Sequence, residues 1–146
     1  MAPFNKMLIA TDGSEGAEAA VKKGLEIAKF MNIDVIAMSV IDDSSLANVS
    51  IASRTAIIQT HIEKPANDAV KQVQILGEKV GVHVDTLVRK GSPANEIIKE
   101  SAKHDLIVMG TLGISGFSHF LLGSVAEKVV RFASCPVLVI KTPKNH

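Results

Sequence analysis

The chain has 146 residues, of which 47% are hydrophobic and 21% charged, with a formal net charge of +1. This length predicts one domain over residues 1–146, and the balanced charge argues against a nucleic-acid-binding protein, which usually carries a basic stripe. No apolar run approaches the roughly 20 residues of a membrane span, the first residues lack a signal-peptide pattern, and the single Cys135 suits a reducing compartment. We therefore expect a cytoplasmic protein that does not associate with membranes.

The first half of the chain predicts strands alternating with amphipathic helices. Residues 6–10 predict a strand, and the helix that follows the next turn runs to about residue 31 with an apolar stripe. Residues 33–41 predict a second strand that is buried on both faces. Pro65 starts or kinks a second helix.

The second half repeats this alternation. Gly91, Ser92 and Pro93 provide a turn, an N-cap and a first helical residue, so they predict the start of the third helix. The remaining predictions are strands over 82–88, 105–109 and 136–140, and a last helix from Ser124 to about residue 133. Strands and helices that alternate throughout indicate an α/β fold with a doubly wound parallel sheet.

The segment from Gly110 to Ser124 is rich in glycine and joins the end of a predicted strand to the start of a helix. Free backbone N–H groups and a partial positive charge make such a junction suitable for a phosphate. Glycine also lets the backbone approach a ligand that a Cβ would keep away. The residues from Ser124 to Glu127 predict a capping box at the helix start. The alternative is a flexible turn without a ligand.

Two common phosphate motifs are absent from the sequence. The chain contains no Gly-Lys-Ser/Thr, which excludes a Walker loop, and no G-x-G-x-x-G follows its first strand. The histidines, at 61, 83, 104, 119 and 146, show no metal-ligand spacing with one another or with Cys135. We therefore expect no protein-bound metal site.

Five segments in chain order resemble the sequence pattern of the universal stress protein family, in its ATP-binding branch. The spacing Gly110-x2-Gly113-x9-Gly123-Ser124 resembles the nucleotide motif of that branch. The matching segments are MLIATDGS (7–14), GSPA (91–94) with Ile97 and Ile98, DLIVMGT (105–111), GSVAE (123–127) and CPVLV (135–139). Residues 43–65 carry little of the pattern.

The resemblance implies a five-stranded sheet in the order 3-2-1-4-5 with helices on both faces, a homodimer, and ATP at the carboxyl ends of the strands. The same crevice follows from topology, because strands 1 and 4 are neighbours whose connections leave in opposite directions. The implied contacts are Gly113, Gly123 and Ser124 to the phosphates, Met109 and Gly110 near the ribose, and Asp12 and the Val40 backbone near the adenine. Thr11 and Val125 complete the implied set.

Two of these residues have a second interpretation. Asp12 is equally suited to cap the first helix, with Glu15 three residues further on. Ser124 is equally suited to cap its own helix. His119 stands in a region where many family members have an Arg. The segment from Gly110 to Ser124 contains no Lys or Arg, which leaves His119 as its only potential cation. Phosphate binding would then rest on backbone N–H groups, Ser124 and the helix terminus, assisted by Mg²⁺.

Three functions remain open from the sequence. The first is an ATP-binding regulatory protein that acts as a nucleotide-dependent switch. The second is a slow ATPase or autophosphorylating enzyme, although the segment supplies no cation aimed at the transferred phosphate and no catalytic residue is assigned. Arg89, Lys90 and Arg131 are the cations that could reach the site. The third is a dimeric interaction module without a ligand.

Overall fold

A computed structural model of the chain describes residues 4–42, 44, 58–111 and 122–142. The elements are β1 (Lys6–Ala10), α1 (Glu15–Met31), β2 (Asp34–Asp42), α2 (Lys64–Val80), β3 (Val84–Gly91), α3 (Pro93–Ser101), β4 (Leu106–Gly110), α4 (Ser124–Phe132) and β5 (Val137–Ile140). A π-helical turn, Ile58–Glu63, leads directly into α2. Pro65 lies in the first turn of α2, as predicted.

The five strands form one parallel sheet in the order β3-β2-β1-β4-β5. In the centre of the sheet, Ile9 pairs with Ala37 of β2 on one side and with Val108 of β4 on the other. The predicted fold class and strand order are therefore confirmed. This order makes the gap between β1 and β4 the point where the connections diverge, which is where open α/β sheets bind ligands.

Helices cover both faces of the sheet, because successive side chains of a strand point to opposite faces. One apolar cluster joins α1 and α2 to residues such as Ile9 and Val108. A second cluster joins α3 and α4 to their sequence neighbours Leu8 and Ile107. The central strands are buried on both faces, which explains why their sequences are continuous apolar runs.

The third strand differs most from its predicted bounds of 82–88, since it occupies Val84–Gly91. Val82 belongs instead to the end of α2, where its N–H donates to the Gly77 carbonyl at 2.8 Å and Gly81 has a φ of 80°. This is a glycine C-cap, and the buried Val82 gives it an apolar contact. The apolar–polar alternation that begins at Val82 therefore covers both the C-cap of α2 and the start of β3.

Within the described ranges, no helix is both long enough and apolar enough to cross a membrane. The assignment of residues 1–146 to one domain stays a prediction.

Candidate functional site

The carboxyl ends of β1 and β4 bring two distant parts of the sequence to the same height. Because Ile9 pairs with Val108, Thr11 lies level with Gly110, one residue beyond the end of β1. Thr11 is still tied to β2, since its N–H donates to the Met38 carbonyl at 2.9 Å. These residues therefore stand at the position where the crevice between strands 1 and 4 is predicted.

The turn between β1 and α1 is held by its own side chains. Asp12 Oδ1 accepts the Ser14 N–H at 2.9 Å, and Thr11 Oγ1 accepts the Gly13 N–H at 3.1 Å. Gly13 has a φ of 79°, a conformation that favours glycine. The N-cap of α1 is Ser14, whose Oγ accepts the Ala17 N–H at 3.3 Å. The alternative in which Asp12 caps the first helix is wrong, because the helix begins two residues later than that cap requires.

Val40 lies beside this turn, on β2. Ala10 pairs with Met38, so Val40 is level with Asp12. Backbone groups two residues apart on a strand point to the same side, and the Met38 carbonyl already points toward β1. The N–H and C=O of Val40 therefore face the space beyond the end of β1. The Val40 side chain packs against the cluster under α3 and α4.

Gly110 and Met109 end β4 and have different surroundings. A Cβ at Gly110 would lie 2.5 Å from the carbonyl oxygen of Gly16, so α1 packs where a side chain would otherwise stand. Met109 is 6% exposed, and its side chain lies in the cluster under α4. Only its backbone is at the crevice. The role of these residues beside a ribose stays a prediction.

The ends of the glycine-rich segment are joined by a hydrogen bond. The N–H of Gly123 donates to the carbonyl of Thr111 at 2.7 Å, while the Thr111 N–H donates to the Ile140 carbonyl at 3.2 Å. The N-terminus of α4 is thereby fixed next to the end of β4. Because the Gly123 N–H is engaged by the Thr111 carbonyl, the N–H groups of the following residues in α4 are the ones that a phosphate would meet.

The predicted capping box at Ser124 is wrong. Gly123 is the N-cap of α4, and its carbonyl accepts the Glu127 N–H at 2.9 Å. Ser124 is exposed in the first helical position, and within the described residues no side chain caps this helix. The first N–H groups of α4, which include those of Ser124 and Val125, have no partner within the helix. Val125 is partly buried against the α3 and α4 cluster.

Eight of the predicted contact residues therefore lie at or beside the carboxyl ends of the strands: Thr11, Asp12, Val40, Met109, Gly110, Gly123, Ser124 and Val125. Gly113 and His119 lie outside the described residues. Across the described ranges, no three His, Cys, Asp or Glu side chains are grouped to hold a metal ion.

The three cations that could have reached the site are each bound to a carboxylate. Arg89 contacts the buried Glu100 at 2.7 Å, and Lys90 contacts Glu63 at 3.2 Å. Arg131 contacts Glu127, one turn before it in α4, at 3.0 Å. In this arrangement none of the three is directed at the crevice as an arginine finger would be.

Cys135 and Asp105 lie at the other end of the strands, because they come just before β5 and β4. Burial raises the pKa of the Cys135 thiol, and the nearby Asp105 carboxylate raises it further. A thiol with a raised pKa is a poor nucleophile. Cys135 is partly buried and packs against the α4 cluster, in keeping with a structural role.

Two features of the site were missed in the sequence. The Ser14 cap could have been found, because a serine directly before an acidic first turn is a common helix start. The hydrogen bond from Gly123 to Thr111 has no local signal, because it joins residues on either side of the glycine-rich segment.

Comparison with known proteins agrees with this architecture. The sequence profile of the universal stress protein family matches residues 3–141. The chain belongs to the universal stress protein family. Universal stress protein MJ0531 from Methanocaldococcus jannaschii is 41% identical over 145 residues, which span 98% of this chain and 85% of that protein.

Solved structures of family members share the fold. Universal stress protein UspA from Lactobacillus plantarum superposes with a TM-score of 0.83 at 27% identity, covering 97% of this chain and 100% of that chain. A family protein from Arabidopsis thaliana, solved with AMP bound, has a TM-score of 0.69 at 17% identity and covers 95% of this chain and 92% of its own. At that identity, the second comparison concerns the fold alone.

Proposed function

We propose that this chain binds ATP with Mg²⁺ in the crevice above β1 and β4 and acts as a nucleotide-dependent regulatory protein. The observation that carries the proposal is the hydrogen bond from Gly123 to Thr111, at 2.7 Å. It fixes the uncapped N-terminus of α4 beside Thr11 and Gly110. N–H groups without an intrahelical partner, together with the positive end of the helix dipole, favour a phosphate at this position.

The adenine would lie on the other side of β1. The N–H and C=O of Val40 face this space, and they match the acceptor and the amino donor on one edge of adenine. Guanine carries a carbonyl oxygen where adenine carries its amino group, so the Val40 carbonyl would meet an acceptor instead of a donor. The AMP in the Arabidopsis relative is a further reason to test adenine nucleotides first.

Regulation is proposed in preference to catalysis because the cations that could reach the crevice are paired within the protein. Arg89 is bound to Glu100, and Arg131 is bound to Glu127. Rapid phosphoryl transfer needs such charges at the transferred phosphate. The proposed setting is the cytoplasm, which suits a single unpaired cysteine.

The test compares ATP with GTP by isothermal titration, with Mg²⁺ present, on protein shown by mass spectrometry to carry no nucleotide. We expect ATP to bind at least about tenfold more tightly than GTP, a difference of about 1.4 kcal/mol. Folded protein that gives no heat with ATP up to about 1 mM, where binding would be worth only about 4 kcal/mol, would contradict the proposal.

A further inference from the structure

Thr111 is hydrogen-bonded to two elements, α4 and β5. Its carbonyl accepts the N–H of Gly123, the N-cap of α4, at 2.7 Å. Its N–H donates to the carbonyl of Ile140, the last residue of β5, at 3.2 Å. This one residue therefore connects the proposed phosphate position with the end of an edge strand.

β5 is paired on one side only in the described sheet. The carbonyls of Pro136 and Ile140 point to the β4 side, where they accept the N–H groups of Ile107 and Thr111. Backbone groups alternate in direction along a strand, so the N–H and C=O of Val139 point to the open side. The groups with which a further strand would pair are thus next to the residue that Thr111 binds.

The carboxyl end of β5 is weakly held. The strand has four residues, and none of them is fully buried. Thr142 lies two residues beyond Ile140, and its Oγ1 is buried without a hydrogen bond in the described part of the chain. Few buried contacts and an unsatisfied buried hydroxyl group are features of a segment that rearranges at low cost. The bond from Thr111 therefore matters more for β5 than it would for a buried central strand.

From the two hydrogen bonds of Thr111 and the weakly held end of β5, we infer that nucleotide binding at α4 is coupled to pairing of β5 with a second copy of the chain. The nucleotide-bound protein dimerises more tightly than the empty protein. A second copy is the partner because an uncharged apolar strand is complementary to itself across a two-fold axis. This inference rests on the proposed function, because it concerns the same phosphate position.

The direction of the coupling follows from the order in which the groups are fixed. A phosphate at the first N–H groups of α4 holds Gly123 in place and, through the carbonyl of Thr111, also holds Thr111. Thr111 in turn holds Ile140, so the end of β5 is ordered by the nucleotide before it pairs. A strand that is already ordered loses less conformational entropy when it pairs. Because coupling is reciprocal, the dimer must bind ATP more tightly by the same factor.

Two lysine variants test the coupling through ATP affinity. Val139→Lys places a charge on β5 where a second copy would pair, and Thr86→Lys places the same charge on β3, the other edge of the sheet. In isothermal titration with Mg²⁺ at about 100 µM protein, Val139→Lys should bind ATP about tenfold more weakly than the wild type, or about 1.4 kcal/mol. Thr86→Lys should bind ATP within about twofold of the wild type, because β3 is not connected to Thr111. Circular dichroism checks that both variants fold.

The same coupling should be measurable in self-association. Sedimentation of the wild type over a dilution series gives the dissociation constant of the dimer, and saturating ATP with Mg²⁺ should lower that constant about tenfold. Hydrogen exchange tests the role of Thr111 directly. In monomeric Val139→Lys, saturating ATP should slow exchange of the Thr111 amide at least about tenfold, although no second copy is present to protect it.

Four results would overturn the inference and leave the proposed function intact, since ATP would still bind in each case. They are equal ATP affinities of dimeric wild type and folded, monomeric Val139→Lys, a dimer dissociation constant that saturating ATP does not change, a Val139→Lys variant that stays fully dimeric, and a wild type that stays monomeric at about 100 µM with and without ATP. A folded wild type that binds no ATP would refute the proposed function and this inference together.

Discussion

The backbone of α1 passes so close to Gly110 that any side chain there would collide with the carbonyl of Gly16. This glycine therefore has a packing role in the absence of a ligand. Gly123 is different, because its φ of −61° is open to any residue and its part in the site is the hydrogen bond to Thr111. The two glycines of this motif therefore have different roles, close packing at Gly110 and a hydrogen bond at Gly123.

Gly110→Ala should lower the free energy of unfolding by about 1–3 kcal/mol, the usual cost of overpacking a well-packed interior. The added methyl group must displace α1, since its 2.5 Å approach is to backbone and not to a flexible side chain. Urea unfolding followed by circular dichroism measures the change. Gly81→Asn is the control, because a Cβ at Gly81 meets nothing within 4 Å and asparagine tolerates positive φ. An unchanged midpoint for Gly110→Ala would contradict the packing role.

Asp105 makes stability depend on pH. Its Oδ2 accepts the N–H groups of Asn5 and Lys6 at 2.9 and 3.0 Å, and these bonds lower the pKa of the carboxyl in the folded protein. A lowered folded pKa means that the charged carboxylate stabilises the fold above about pH 4, the ordinary Asp value. That contribution is lost as the pH falls through the folded pKa.

We therefore expect Asp105→Ala to have a lower Tm than the wild type at pH 7, with the difference shrinking as the pH falls below about 4. Thermal unfolding across pH 2–7, a range that spans ordinary carboxyl pKa values, measures it. Asp34→Ala, which removes an exposed carboxylate from β2, is the control and should show little difference at any pH. If the difference in Tm between the wild type and Asp105→Ala stayed constant from pH 7 to pH 2, the proposed coupling between the Asp105 charge and stability would be refuted.

At the scale of elements, periodicity was sufficient for the strands and helices of the described sheet. Continuous apolar runs marked β1, β2 and β4 because these strands are buried on both faces. The strand order came from the family resemblance and is confirmed by the pairing, since short apolar strands do not by themselves specify their neighbours.

The errors lie where a non-local contact decides. The capping box at Ser124 fits the local sequence, yet α4 begins one residue earlier because Gly123 is tied to Thr111 across the glycine-rich segment. Gly113 and His119 lie outside the described residues, so their roles stay predictions.

The ion pairs of Arg89 and Arg131 lead to a prediction about the rate of ATP hydrolysis. With Arg89 and Arg131 engaged by Glu100 and Glu127, ATP hydrolysis should proceed well below the ~10 s⁻¹ typical of enzymes. A phosphate-release assay measures it. Gly123→Val, purified in parallel, controls for a contaminating ATPase. Ordinary enzymatic rates in the wild type that are absent from this variant would make the protein an enzyme.

At the scale of the whole molecule, β5 is an edge strand of the described sheet. Leu138 is 36% exposed, and the strand Val137–Ile140 carries no charge. An apolar edge with unpaired N–H and C=O groups is open to pairing with another strand. We propose that a second copy of the chain pairs there across a two-fold axis, which would close the assembly.

Light scattering on the wild type should then give about twice the 15.5 kDa monomer mass, and Val139→Lys should shift the mass toward the monomer. Thr86→Lys places the same charge on β3, the other edge, and should remain dimeric. A monomeric wild type at about 100 µM, far above the dissociation constants of stable dimers, would refute the proposal. A fully dimeric Val139→Lys would do so as well.

The central claim is that a nucleotide phosphate binds at the N-terminus of α4, and titration of ATP into Gly123→Val tests it most directly. A valine fits the backbone of Gly123, but its side chain would stand where the phosphate approaches, so the variant should fold and lose ATP binding at least about a hundredfold, or roughly 2.7 kcal/mol. Gly81→Asn, at the end of α2, should bind ATP as the wild type does. Folded Gly123→Val that binds ATP with wild-type affinity would contradict the claim.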